Sequence, residues 1–436
     1  MSIFKACDIR GKYGVELTEE IAYKIGKAIG TVCRDKKIVV GGDLRISTPK
    51  LKQALTDGII SSGCNVLDIN TVPTPVFYFA LKHYSLNCGV QVTGSHNPPG
   101  DNGMKIVLGK SPITPKKIKM IQNLVESEKF ANGCGNVFVK NPVGEYKNYI
   151  KAFFEKGNLR IVVDAGNGCW WKLAPEILGE LGYQTVKLFC VPDGTFPNRH
   201  PNPAISKNIR ELQKKVVETE SDFGVAFDGD GDRAIFVDDR GNIIPADIAI
   251  IIYIRNILPN KKDMSVVHDI KCSQIVSDEI RKLGAVPIME KSGHAFIKKR
   301  FLETGAAFAG EVSGHYFFKE IGGDDGLFAT LMMAKIIEKN GALSEQIKSI
   351  KPYPITPDIR IFVEYPEKII ETLINHYPPE MINTLDGVRI QFEHGWALVR
   401  KSVTEPVLTM RFEGKTDQEL ERIKNEIFSL IPELKK

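Results

Sequence analysis

Three times in this chain a β-branched run ends in an Asp-containing turn and gives way to a helical pattern. The runs are Ile38-Val39-Val40-Gly41-Gly42-Asp43, Ile161-Val162-Val163-Asp164-Ala165-Gly166-Asn167-Gly168 and Val266-Val267-His268-Asp269. Short β-branched runs without alternation read as strands buried on both faces. Leu51, Leu55 and Ile59 follow the first at helical spacing. Leu173, Ile177 and Leu178 follow the second, with Pro175 in a first turn where its missing N–H costs nothing. Ile275, Ile280 and Leu283 follow the third. Strand, turn and helix recurring at roughly hundred-residue intervals predict three similar α/β domains with mixed, mostly parallel sheets. Ligands of such sheets sit beyond the carboxyl ends of the strands, so chemistry is expected at these turns. Asp43, Asp164 and Asp269 would serve equally well there as helix N-caps.

The last eighty or so residues have another texture. Ile359-Arg360-Ile361-Phe362-Val363, Val388-Arg389-Ile390-Gln391-Phe392 and Val407-Leu408-Thr409-Met410-Arg411-Phe412 alternate or nearly alternate, and amphipathic helices are expected near 366–376 and 416–430. That predicts a C-terminal α+β domain with an antiparallel sheet, entered through a linker marked by Pro352, Pro354 and Pro357. The division predicted for the 436 residues is therefore 1–140, 141–242, 243–352 and 353–436, arranged around a central cleft.

Composition removes several classes of function. An apolar fraction of 43% and a charged fraction of 25% belong to an ordered globular protein. The net charge of +5 is small and dispersed, without the basic stripe of a nucleic-acid binder. The longest apolar run, Ile248 to Ile254, is far short of the roughly 20 residues that span a bilayer. The N-terminus lacks the apolar core of a signal peptide. Eight scattered cysteines, none in CxxC spacing, suit free thiols in a reducing cytoplasm. The expectation is a cytoplasmic protein, monomeric or dimeric, acting on small molecules.

Four clusters carry chemistry. Thr93-Gly94-Ser95-His96-Asn97-Pro98-Pro99-Gly100-Asp101-Asn102-Gly103-Met104-Lys105 reads as an irregular, exposed loop after a strand, with the Ser95 hydroxyl accessible and Lys105 able to fold back over it. A turn-rich loop with a hydroxyl cap would look similar. A serine carries a phosphoryl group only where cations offset a charge of about −2.

In Asp228-Gly229-Asp230-Gly231-Asp232-Arg233, three carboxylates converge at alternate positions. Like charges about 4 Å apart repel by roughly 4 kcal/mol per pair at an effective dielectric near 20, so a bound cation is the natural relief. The all-oxygen set selects Mg²⁺ or a similar hard ion over zinc. An EF-hand fails, because Arg233 stands where its sharp turn needs Gly, and strands rather than helices flank the loop.

Glu311, Ser313 and His315 alternate in Gly310-Glu311-Val312-Ser313-Gly314-His315, and on an extended segment they would face one way. A carboxylate, a hydroxyl and an imidazole suit sugar hydroxyls and proton transfer. Arg400, Ser402 and Thr404, in a turn closed by Pro406, would make a phosphate clamp or simply a solvated surface turn.

At these residues the chain resembles the α-D-phosphohexomutases, most closely their phosphomannomutase/phosphoglucomutase branch, along nearly its whole length. The resemblance implies four domains around a large cleft. It implies that Ser95 is the phosphoserine, and that Asp228, Asp230 and Asp232 hold Mg²⁺ together with the Ser95 phosphate. Glu311 and Ser313 match residues that hold sugar hydroxyls, and Arg400, Ser402 and Thr404 match the clamp on the non-reacting phosphate. Arg10, Lys105, Arg233, Lys271, His294 and His315 match positions that bind phosphate or assist proton transfer. The implied activity interconverts hexose 1- and 6-phosphates, of mannose and/or glucose, with glucose 1,6-bisphosphate or mannose 1,6-bisphosphate as activator.

Cys7, Gly42 and Val403 depart from residues common in the family. Gly94 and Val312 favour mannose or glucose over a phosphoglucosamine mutase, whose members usually have Ala and Gln there. A phosphatase, and an inactive sugar-phosphate-binding protein, are the rival classes. Released phosphate would mark the first and an absent phosphoserine the second.

Overall fold

The computed structural model describes residues 3–33, 36–109, 112–259, 264–401 and 407–431. The chain forms two units, Met1–Pro245 with Ser313–Ile347, and Ala246–Val312 with Lys348–Lys436.

In the first unit the run at residue 38 becomes the strand Lys37–Gly42, paired in parallel with Asn65–Thr71 on one side and Cys88–Val92 on the other. Val137–Val139 extends the sheet in parallel, and Asp101–Leu108 and Ile9–Lys12 add antiparallel strands at the opposite edge. Leu51, Leu55 and Ile59 are buried on the helix Thr48–Ser61, as their spacing predicts. That helix packs backbone to backbone on Glu19–Val32: a Cβ at Gly26 would overlap the Leu55 carbonyl, and one at Gly58 the Tyr23 carbonyl.

The second sheet runs Ile243–Ile244, Ala234–Val237, Phe223–Phe227, Arg160–Asp164, Gln184–Leu188. The last three are parallel, whereas Phe223–Phe227 and Ala234–Val237 form an antiparallel hairpin whose connection is the Asp-rich loop 228–233. The same unit holds the hairpin Tyr316–Phe318/Gly323–Asp324 and the helix Gly326–Asn340. Asp325 caps that helix, accepting from the N–H of Leu327 and Phe328, and takes a 2.6 Å hydrogen bond from Tyr146 Oη. Burial pushes its carboxyl up to about 7.

In the second unit Ser265–Asp269 lies between Val286–Glu290 and Phe308–Gly310, all parallel. The apolar run 248–254 lies in the helix Ala246–Ile257 and is buried all round. Among the described residues no helix is long and apolar enough to cross a membrane. The C-terminal sheet is antiparallel throughout, in the order Ile359–Phe362, Val407–Gly414, Gly395–Lys401, Val388–Phe392, Ile382–Asn383, with helices Pro366–His376 and Asp417–Leu430 packed on it. Buried Arg389 ties this sheet to the preceding domain. It donates to the Ile270 carbonyl at 3.0 Å and lies over the Trp396 ring, whose Nε1 donates to Glu413.

The proline-marked entrance to the C-terminal domain is hydrogen-bonded to its sheet, through Thr356 N to Phe412 O and Gly414 N to Pro354 O. One expectation is corrected: Arg400 and Lys401 stand at the end of the strand Gly395–Lys401, whose apolar run does not alternate, and not in a turn.

The three strand-end aspartates cap no helix. Each instead accepts from the N–H two residues on, in Arg45, Gly166 and Lys271, which fixes the same turn three times.

Replacing Gly58 by Val should lower stability by about 1–3 kcal/mol through overpacking at the helix crossing, measured by chemical denaturation. An unchanged midpoint would show that the two helices can separate freely.

Candidate active site

The Asp-rich loop is held from several directions within the first unit. Asp228 Oδ1 accepts from the N–H of Gly231 (3.0 Å) and of Arg233 (3.2 Å), curling the turn on itself. Gly231 has φ +81°, and a Cβ there would overlap the Trp170 indole, which donates to the Gly231 carbonyl at 2.7 Å. Thr74, at the start of the helix Thr74–His83, donates its hydroxyl to Asp230 Oδ2 (2.6 Å) and its N–H to the Asp230 carbonyl (2.8 Å).

Ser95 sits against this loop. Its Oγ donates to Asp228 Oδ2 at 2.9 Å and lies 3.2 Å from His96 Nδ1. It is not exposed as the loop composition suggested: Ser95 is 1% accessible, and exposure begins only at Pro98. Its φ of +47° is the left-handed region, sparsely populated for a residue with a side chain.

Lys105 arrives from the neighbouring strand and donates to Asp230 Oδ2 at 2.7 Å and to Asp232 Oδ2. Burial opposes its charge, but Asp230 and Asp232 outweigh that and hold its pKa well above the usual lysine value. Burial, with Asp230 and Asp232 alongside, raises the Asp228 carboxyl to about 7. Asp230 feels the same burial, yet Lys105 and Thr74 keep it ionised below the ordinary range.

One lysine leaves the trio unsatisfied. Asp230 Oδ1 and Asp232 Oδ1 are buried and without a hydrogen-bond partner among the described residues. One oxygen from each of Asp228, Asp230 and Asp232 falls within 4.8 Å of the others. Buried carboxylate oxygens without donors are costly, and an all-oxygen set of this kind fits a hard divalent cation.

A cationic rim surrounds the pair. Arg10 bonds Asp8 at 2.6 Å and Asn97 Oδ1 at 2.7 Å. Arg233 Nε donates to His315 Nε2 at 3.0 Å, so that nitrogen carries no proton, and His315 Nδ1 bonds Asp324 Oδ2 at 2.9 Å. Ser313 lies in the same unit, in a turn with Val312, and Gly314 follows at φ +92°. The alternation of Glu311, Ser313 and His315 therefore does not place them on one face.

Lys271, His294, Glu311 and Arg400 lie in the second unit. Glu311 is buried just past the strand Phe308–Gly310, and with burial it helps raise Asp269 to about 6. His294 opens the helix His294–Thr304. Lys271 is ion-paired with Asp358, and Arg400 Nε lies 2.9 Å from Asp386 Oδ2. Ser402 and Thr404 lie outside the described residues.

Sequence reasoning missed Thr74, Arg45 and Asp324. Thr74 stands between two prolines, where nothing in the sequence distinguishes it from a helix start. Gly94 gains a steric reason unrelated to sugar preference, since a Cβ there would overlap the buried Arg45 guanidinium.

A serine hydroxyl against a buried carboxylate trio, with Lys105, Arg10, Arg233 and His315 nearby on α/β domains, is a site suited to an anionic group and a hard cation. Profiles of the phosphoglucomutase/phosphomannomutase family match in order: the alpha/beta/alpha domains I, II and III over residues 1–132, 144–241 and 245–353, and the C-terminal domain over 359–430. The chain belongs to that family. It is 41% identical to a phosphomannomutase/phosphoglucomutase of Pseudomonas aeruginosa over 97% of this chain and 94% of the relative. Against a phosphoglucomutase of Neisseria meningitidis the identity is 38%, over 98% and 96%. A crystal structure of a phosphoglucomutase/phosphomannomutase family protein from Burkholderia thailandensis superposes with a TM-score of 0.93 at 35% identity, covering 98% of this chain and 96% of that one.

Replacing Asp228 by Asn should raise the melting temperature of the protein in chelator, because one of the crowded charges is gone. It should also shrink the further rise on adding Mg²⁺. A variant that melts lower in chelator, yet gains as much from Mg²⁺ as the parent, would contradict a cation site at this loop.

Proposed function

We propose that this enzyme interconverts hexose 1-phosphate and hexose 6-phosphate, of mannose and/or glucose, through a phosphorylated Ser95 and a hexose 1,6-bisphosphate. The contact between Ser95 Oγ and the Asp228 carboxylate carries the reading, because it brings the Ser95 hydroxyl against a buried trio of carboxylates.

In the forward half-reaction the free hydroxyl of the sugar phosphate attacks the phosphorus of phospho-Ser95. The new O–P bond forms as the Ser95 Oγ–P bond breaks, and the sugar hydroxyl gives up its proton. His315 Nε2 is the acceptor we assign: its lone pair is held by Arg233 Nε, and it becomes free when Arg233 turns to an incoming phosphate. Asp324 on Nδ1 fixes the ring and supports the cationic form. Lys105 and Arg10 offset charge on the phosphoryl oxygens, and the bisphosphate then returns its other phosphoryl group to Ser95.

Asp228, Asp230 and Asp232, with the Ser95 oxygen, would hold Mg²⁺, which when bound supplies further positive charge beside the moving group. Glu311 and Ser313 are assigned to the sugar hydroxyls. Arg400, Ser402 and Thr404, with Lys271 and His294, are assigned to the non-reacting phosphate. Lys271 and Arg400 would then exchange their carboxylate partners for substrate. Glucose 1,6-bisphosphate or mannose 1,6-bisphosphate would prime the serine. The eight free cysteines support a reducing, cytoplasmic setting.

Ser95→Ala should lose at least about a thousandfold in mutase turnover, with an unchanged melting temperature. Coupled assay with glucose 1-phosphate and mannose 1-phosphate, primed with glucose 1,6-bisphosphate, reads this. Near-parental turnover would rule the carrier role out.

A further inference from the structure

Arg45 follows the first of the three Asp turns and is 1% accessible. Among the described residues its guanidinium donates four hydrogen bonds, all to the loop that carries Ser95. Nη2 donates to the carbonyls of Ser95 (2.8 Å) and Asn97 (2.6 Å), and Nη1 to those of Pro98 (2.5 Å) and Asp101 (2.9 Å). Its Nε lies 3.2 Å from Asp43 Oδ2, and the Phe196 ring covers its face at 5.2 Å. That same Asp43 oxygen accepts from Gly94 N (3.1 Å) and Thr93 Oγ1 (2.8 Å), and Thr93 Oγ1 in turn accepts from Ser95 N (2.8 Å).

The residues before and after the serine are thus gripped by one buried ion pair. The serine itself keeps a left-handed backbone that local preference disfavours. We propose that Arg45, braced by Asp43, is the positioning residue for the phosphoryl carrier: it holds the Ser95 loop in the strained form that aims Oγ at Asp228.

Only a planar fork reaches four carbonyls at once, which a single ammonium cannot do. The proposal rests on Ser95 being the carrier. Displacement of a reacting atom by about 1 Å costs about a hundredfold in rate, whereas among the described residues of the first unit no hydrogen bond of Arg45 or Asp43 ends on Arg10, Lys105, Arg233 or His315.

The test uses the full chain as Arg45→Lys and Asp43→Asn. Steady-state kinetics with glucose 1-phosphate and single-turnover transfer from the phosphoenzyme are measured beside the Kd for glucose 1-phosphate and the melting temperature. The expected result is a drop of about a hundredfold in kcat and in single-turnover rate, with KM and Kd within about twofold of the parent. Parental transfer rates in both variants overturn the proposal. So does a kcat loss matched by equally weakened binding, and so does failure of both variants to fold, which would assign the pair to stability alone. If only Arg45→Lys fails to fold, the transfer rate of Asp43→Asn decides. A parent enzyme that accepts no phosphoryl group on Ser95 is a different outcome: it sinks the carrier reading and leaves no role to position.

Discussion

Three carboxylates in one six-residue turn are the constraint to which the rest of the first unit answers. Each pair repels by roughly 4 kcal/mol at an effective dielectric near 20, and all three are buried. The turn persists because its neighbours supply what it lacks. Thr74 and Lys105 neutralise or bond Asp230, Trp170 grips the Gly231 carbonyl, and the loop's own N–H groups satisfy Asp228. Among the described residues two carboxylate oxygens, Asp230 Oδ1 and Asp232 Oδ1, remain without donors, and a hard cation would satisfy them.

The scaffold explains why this is possible at strand ends. In the two mixed sheets of the first unit, and again in the second unit, an Asp closes the turn after a parallel strand by accepting from the N–H two residues on. In the first two domains that Asp also meets a buried arginine, Arg45 or Arg199, whose remaining donors hold the adjoining backbone: the serine loop in one case and the Phe227 carbonyl, just before the Asp-rich loop, in the other. The pairing converts a generic strand–turn–helix unit into a rigid support for a reactive loop. In the third domain Asp269 faces Glu311 instead, and burial with that carboxylate raises its pKa.

Much of this was legible in the residues. Buried strands announce themselves by β-branched runs, and Asp228-Gly229-Asp230-Gly231-Asp232 admits few physical explanations. What stayed hidden depends on contacts across long sequence separation. Thr74 and Asp230 are 156 positions apart, and nothing local marks the threonine. Arg45 looks like a surface arginine after a turn until four carbonyls from residues 95–101 are seen around it. Ser95 was expected on an exposed loop because Gly and Pro dominate its surroundings; folding buries it beneath residues that composition alone cannot place. The Glu311–His315 alternation misled, since a period-two argument holds only for extended backbone and this segment turns at Val312 and Ser313.

The account stands or falls on whether one phosphate and one cation share the space between Ser95 and the aspartates. ³¹P NMR of the phosphoenzyme, titrated with Mn²⁺ in place of Mg²⁺, reads that proximity directly. The phosphoserine resonance should broaden beyond detection at stoichiometric Mn²⁺ and return on adding excess Mg²⁺. A sharp resonance that ignores Mn²⁺ while the enzyme turns over would contradict it.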